Sequence, residues 1–77
     1  MEIKVLGTGC PKCKTLEKLT REVVEAEGID ATITKVEDIM DIMSYGVMMT
    51  PALVVDGKVM FKGRMPSVKE IKTILTK

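Results

Sequence analysis

GTGCPKCKTLEKL, residues 7–19, sets two cysteines three apart at the point where one periodicity gives way to another. Upstream, EIKVL (2–6) alternates charged and apolar residues and runs into Gly7-Thr8-Gly9, which predicts a strand followed by a flexible loop. Downstream, Pro11 suits a first helical turn, where its missing N–H would have no partner anyway. Leu16, Leu19, Val23 and Ala26 then recur at helical spacing, and Gly28 can cap the end. Glu17 with Arg21 and Lys18 with Glu22 sit four apart, each pair adding tenths of a kcal/mol to the helix, about 0.2–0.5.

Outward from that helix, DATITKV (30–36) alternates with β-branched residues and predicts a second strand, parallel to the first across a right-handed crossover. EDIMDIMSYG (37–46) places Ile39, Met40, Ile42 and Met43 on one side of a short helix that Gly46 closes. PALVV and KVMFK flank Asp56-Gly57, a two-residue hairpin turn whose positive φ glycine supplies and aspartate tolerates. Pairing across it sets Val54 opposite Val59 and Leu53 opposite Met60. ALVV, apolar throughout, suits a central strand covered on both faces, and Lys58 and Lys62 mark an edge strand. Ser67 and Glu70 form a capping box opening a last helix, with Val68, Ile71, Ile74 and Leu75 as its inner face. The order is βαβαββα, read as one domain over residues 1–77.

A chain of 77 residues buries only about 60% of the surface its unfolded form exposes. Hydrophobic residues at 45% and charged residues at 30% favour a folded globule over disorder. Twelve basic and eleven acidic residues interleave to a net charge of +1, which argues against a nucleic-acid or membrane-surface role. No leader pattern and no apolar run near the ~20 residues of a membrane span are present, so a cytoplasmic protein is expected. There thiols are kept reduced, and a close cysteine pair is metal-binding or redox-active rather than a permanent staple.

Cys10 and Cys13 lie one turn apart, with Cβ atoms about 5–6 Å from each other, within reach of a disulfide. As a staple, a four-residue loop contributes only about 2 kcal/mol in the chain-entropy model. The helix start favours reactivity instead, because unpaired N–H groups and the positive end of the dipole face Cys10, with Lys12 and Lys14 adding charge. Pro11 and Lys12, inside the motif, therefore help tune the thiol. Cys13 is better placed to resolve a mixed disulfide formed at Cys10. With no histidine in the chain, Cys/His proteolysis and Cys₂His₂ zinc sites are excluded. Thr50-Pro51 stands at the mouth of ALVV. Proline suits a strand's first residue, and a cis bond there would expose Thr50's backbone to clasp an extended substrate.

CPKC after a first strand, Thr-Pro opening the third, the Asp-Gly hairpin and the closing helix together resemble the thioredoxin superfamily across essentially the whole chain. More narrowly, the chain resembles small archaeal and bacterial thioredoxin-like proteins of glutaredoxin size. The resemblance implies an α/β fold with a four-stranded mixed sheet in order 2-1-3-4 and helices on both faces. It also implies Cys10 as nucleophile, Cys13 as resolver and a cis Pro51 packed against the disulfide. Reduction by a flavoprotein thioredoxin reductase is an expectation from the family. Thioredoxins usually carry Trp-Cys-Gly-Pro-Cys, whereas Gly9-Cys10-Pro11-Lys12-Cys13 is closer to the glutaredoxin order. The glutaredoxin glutathione site usually has an aromatic residue in the motif and Gly-Gly with a nearby aspartate. Here Lys12 and Gly63-Arg64-Met65-Pro66-Ser67 stand instead, which counts against glutathione binding.

The expected activity is reduction of disulfides in client proteins, with no cofactor or bound metal and as a monomer. The alternative is a metal-delivery module holding copper(I) or zinc on the two thiolates. The βαβαββα order and Thr8, where such modules usually carry methionine, speak against it. Among the seven methionines, Met40 and Met43 are read as flexible core filler, with only Tyr45 and Phe61 as aromatics. Met48 and Met49, just before Thr50, form an apolar rim for a client, with Met49 a substrate-binding candidate. Arg64 and Lys62 are read as solvated surface, and Tyr45 as packing near the end of the second helix.

Overall fold

The computed structural model describes residues 1–9 and 11–76. Its elements run β1 (Glu2–Leu6), α1 (Pro11–Ala26), β2 (Thr32–Val36), α2 (Ile39–Ser44), β3 (Ala52–Val55), β4 (Lys58–Lys62) and α3 (Val68–Leu75). One sheet holds the strands in the order β2-β1-β3-β4. β1 pairs parallel with β2 and antiparallel with β3, which pairs antiparallel with β4. This is the α/β mixed sheet that the resemblance implies. Among the described residues no helix is long and apolar enough to cross a membrane.

The alternation of β1 sends its side chains to two different cores. Ile3 and Val5 join Leu53, Phe61, Leu16 and Ile71 in the layer under α1 and α3. Leu6 faces the other way, with Ala52, Val54, Ile42 and Val47, under α2. Both faces are thus covered, and β3 is buried along Ala52, Leu53 and Val54, as its unbroken apolar run requires.

The ends of α1 and α3 are set by local chemistry. Ile29 N–H reaches Val24 C=O at 3.0 Å and Gly28 N–H reaches Glu25 C=O at 3.3 Å, with Gly28 at φ +63°. That pattern satisfies carbonyls α1 would otherwise leave open, and the left-handed residue costs glycine little. At α3, Ser67 Oγ accepts from Glu70 N–H at 3.2 Å and the Glu70 carboxylate accepts from Ser67 N–H at 3.4 Å, closing the capping box. Arg64 grips Glu70 with Nη1 and Nη2, at 3.1 and 2.6 Å, and lies 5.9 Å from the Phe61 ring centroid, so it is more engaged than plain solvated surface.

Three sequence expectations are corrected. Leu53 pairs with Phe61, not Met60, because β4 carries an extra residue between Phe61 and Val59, which stays opposite Val54. The bulge flips Phe61 onto the α1/α3 face, where the core has space for its ring; regular pairing would have turned it toward α2. Met40 and Met43 are not core filler: they are 71% and 54% exposed, and Ile39 is 61% exposed, whereas Ile42 is buried. A helix of six residues lying on a sheet face turns one residue inward, not a four-residue stripe. On α3, Val68 is half exposed while Ile71 and Leu75 are buried, because Val68 lies at the surface end of the seam with Val23 and Ala26 of α1 and not inside it.

Candidate active site

The carboxyl end of β1 continues into Gly7, whose N–H donates to Val36 C=O at 2.9 Å and so stays on the sheet. Gly7 is buried, and Cys13 of the first turn of α1 packs directly on it. A Cβ added at Gly7 would lie 2.8 Å from Cys13 Cβ and overlap its Sγ. Only glycine lets the helix start come this close to the strand. Cys13 is 5% exposed and disulfide-bonded. Cys10, the proposed nucleophile, lies outside the described residues; it directly precedes Pro11, the first residue of α1.

Pro11, Lys12 and Lys14 are exposed, and the first turn of α1 holds no acidic residue of its own to offset the helix dipole. One carboxylate does approach the loop. Glu37 Oε2 lies 3.4 Å from where a Cβ on Gly9 would sit, and Gly9 is held at φ +88°.

β3 supplies the second wall. Leu6 faces Ala52 in the antiparallel register, which brings Pro51 alongside Gly7. The Thr50–Pro51 bond is cis, and Pro51 is buried. Its carbonyl accepts from Gly63 N–H at 3.0 Å, tying the segment to the end of β4. Met49 is exposed and rests on Gly63, where an added Cβ would come within 3.1 Å of Met49 Cβ. Gly63 is also at φ +74°, so glycine is favoured there twice over.

Beside this junction runs a groove of about 310 Å³ lined by Thr8, Ile39, Met43, Met48 and Thr50. Ile42 and Val47 form its floor. Behind it Tyr45 packs against the inner core, as expected near the end of α2, and its hydroxyl accepts from Lys4 Nζ at 2.9 Å. That bond, with the Glu2 carboxylate 3.3 Å from the same ammonium, raises the Lys4 pKa above its ordinary value.

Cys13 and the Thr50–Pro51 corner therefore meet at one end of the sheet through Gly7, and Met49 sits next to them on the β4 side. Sequence reasoning read Gly7 as part of a flexible loop, weighed Gly63 only against the glutathione-site pattern, and did not single out Glu37. A glycine directly after an alternating strand and before a CxxC was the available signal for Gly7.

A family model described as "Thioredoxin domain" matches residues 1–76. A thioredoxin of Methanothermobacter thermautotrophicus is 43% identical over 76 residues, covering 99% of both chains. A thioredoxin of Methanocaldococcus jannaschii is 44% identical over 70 residues, 91% of this chain and 80% of that one. With the fold, the cysteine at a helix start and full-length similarity in agreement, the chain belongs to the thioredoxin family of thiol–disulfide oxidoreductases.

Proposed function

We propose that this protein reduces disulfides of client proteins through Cys10 as nucleophile and Cys13 as resolving thiol. The Cys10 thiolate attacks one client sulfur, breaking the client S–S bond and releasing a thiolate that takes up a proton. Cys13 then loses its proton and attacks the Cys10 sulfur of the mixed disulfide, releasing the second client thiolate. Two electrons and two protons pass from the dithiol to the client, and the protein is left with a Cys10–Cys13 disulfide. A flavoprotein thioredoxin reductase, rather than glutathione, returns it to the dithiol.

The burial of Cys13 against Gly7 is the observation that carries the assignment of roles. A sulfur closed off from solvent is a poor attacker of an outside disulfide and a good attacker of one formed on its neighbour. The start of α1, whose own first turn holds no acidic residue and carries Lys12 and Pro11 of the motif, favours the thiolate at Cys10. Thr50, Pro51 and Met49 line the approach and hold the client strand. Residues 1–77 act as one domain, a cytoplasmic monomer.

Insulin-disulfide reduction tests the reading. Cys10→Ser should abolish it, and Cys13→Ser should stall as an isolable mixed disulfide. Full activity in either variant would refute the dithiol mechanism.

A further inference from the structure

The loop at residues 7–9 has an acidic neighbour that the first turn of α1 lacks. Leu6 pairs with Val36, and Gly7 N–H donates to Val36 C=O at 2.9 Å, so the residue after Val36 comes alongside the loop. That residue is Glu37, whose Oε2 lies 3.4 Å from where a Cβ on Gly9 would sit. Gly9 directly precedes Cys10. Among the described residues no cation pairs with Glu37; Lys35, two residues earlier, reaches Glu17 at 3.8 Å instead. The carboxylate therefore presents its charge to the turn that leads into Cys10.

The other charges at this end of the sheet are accounted for. Lys12 and Lys14 of α1 are exposed and act with the helix dipole. Asp38 is engaged as the cap of α2, accepting from Met40 N–H at 2.8 Å. Residues 47–51 carry no charge, Lys62 at the end of β4 is exposed, and Arg64 is taken up by Glu70. We propose that Glu37 opposes the positive helix start, holds back ionisation of Cys10 and so makes the dithiol the stronger reductant. This rests on the dithiol mechanism above and adds a residue, acting through Cys10, that sets its direction. A disulfide carries no charge at Cys10, so a negative neighbour penalises only the thiolate-bearing reduced form.

The test reads Cys10 alone, in a Cys13→Ser background, from the pH dependence of its alkylation by iodoacetamide. Glu37→Gln should raise the acid ionisation constant of Cys10 about threefold at low salt, within the range of one exposed charge pair, and Glu37→Lys about tenfold. Both effects should fade near about 1 M salt, where the screening length is about 3 Å. Glu25→Gln, in the last turn of α1, removes the same charge from the chain and should leave the constant where it was. In the intact dithiol protein, Glu37→Gln should move the couple toward a more oxidising value by at most the same threefold, about 14 mV. Constants that agree across the three charge states, that shift equally in Glu37→Gln and Glu37→Lys, or that ignore salt overturn the proposal. An equal shift in Glu25→Gln, or a couple that moves the other way, does the same. Turnover of 2-hydroxyethyl disulfide by the wild type reports the dithiol chemistry alone: its absence overturns both readings, and its presence with no ordering by charge overturns only this one.

Discussion

Replacing Gly7 with alanine isolates the contact on which the site is built. The backbone at Gly7 is not left-handed, so alanine brings no dihedral strain and the effect is one of packing. An added Cβ would lie 2.8 Å from Cys13 Cβ, against about 3.5–4.0 Å for an optimal carbon contact. The start of α1 must therefore move outward by about 1 Å, in a domain whose core sits under that helix. Overpacking of this order costs about 1–3 kcal/mol. At about 2 kcal/mol, and about 4–8 °C per kcal/mol for a domain this size, the melting temperature should drop by about 8–16 °C. The loss should be larger in the oxidised protein, because a disulfide-held Sγ cannot rotate away whereas a free thiol can. A difference of about 1.4 kcal/mol between the two forms corresponds to about 30 mV, here toward a more oxidising couple because the disulfide form is the one destabilised. Thermal unfolding by circular dichroism, run with and without reductant, measures both effects. A Gly7→Ala protein that melts within a degree or two of the parent in both states would falsify the close packing of Gly7 on Cys13.

Two further perturbations probe the far end of the chain. Ser67→Ala removes the Oγ that accepts from Glu70 N–H and should cost about 1 kcal/mol in urea unfolding; no change would mean the capping box contributes nothing to α3. Glu70 has its pKa lowered below the ordinary 4.5, chiefly by the hydrogen bond from Arg64 and then by that from Ser67 N–H. A depressed carboxylate adds stability above its unfolded value and loses it as pH falls through the folded value. The melting advantage of wild type over Glu70→Gln should therefore be present at neutral pH and disappear below pH 4.5, while an advantage that grew in acid would reverse the assignment.

Much of this architecture is written in local patterns. The alternation of EIKVL, the Asp56-Gly57 turn and the Ser67/Glu70 pair each have a short-range cause, and each appears where that cause places it. Asp56 also does something its turn propensity does not announce: its side chain accepts from Glu2 N–H at 2.8 Å and its own N–H donates to Glu2 C=O, pinning the hairpin to β1. Long-range fit is what stayed hidden. The bulge in β4 exists because Phe61 is needed on one face of the sheet, which no stretch of KVMFK declares. The methionines of α2 read as core because helical spacing reports which residues share a side, not whether anything covers that side. Gly7 read as a flexible loop because its function is to leave space for a side chain six residues later.

The central claim is that the two thiols at the start of α1 cycle reversibly with client disulfides. Equilibrating the protein across a dithiothreitol redox series, trapping free thiols by alkylation and weighing the products measures this directly. The predicted result is a single two-electron transition, with both thiols lost together, at a potential between about −270 and −120 mV, the span of thioredoxin-fold couples. Thiols that stay reduced throughout, or that oxidise only into disulfides between chains, would contradict it.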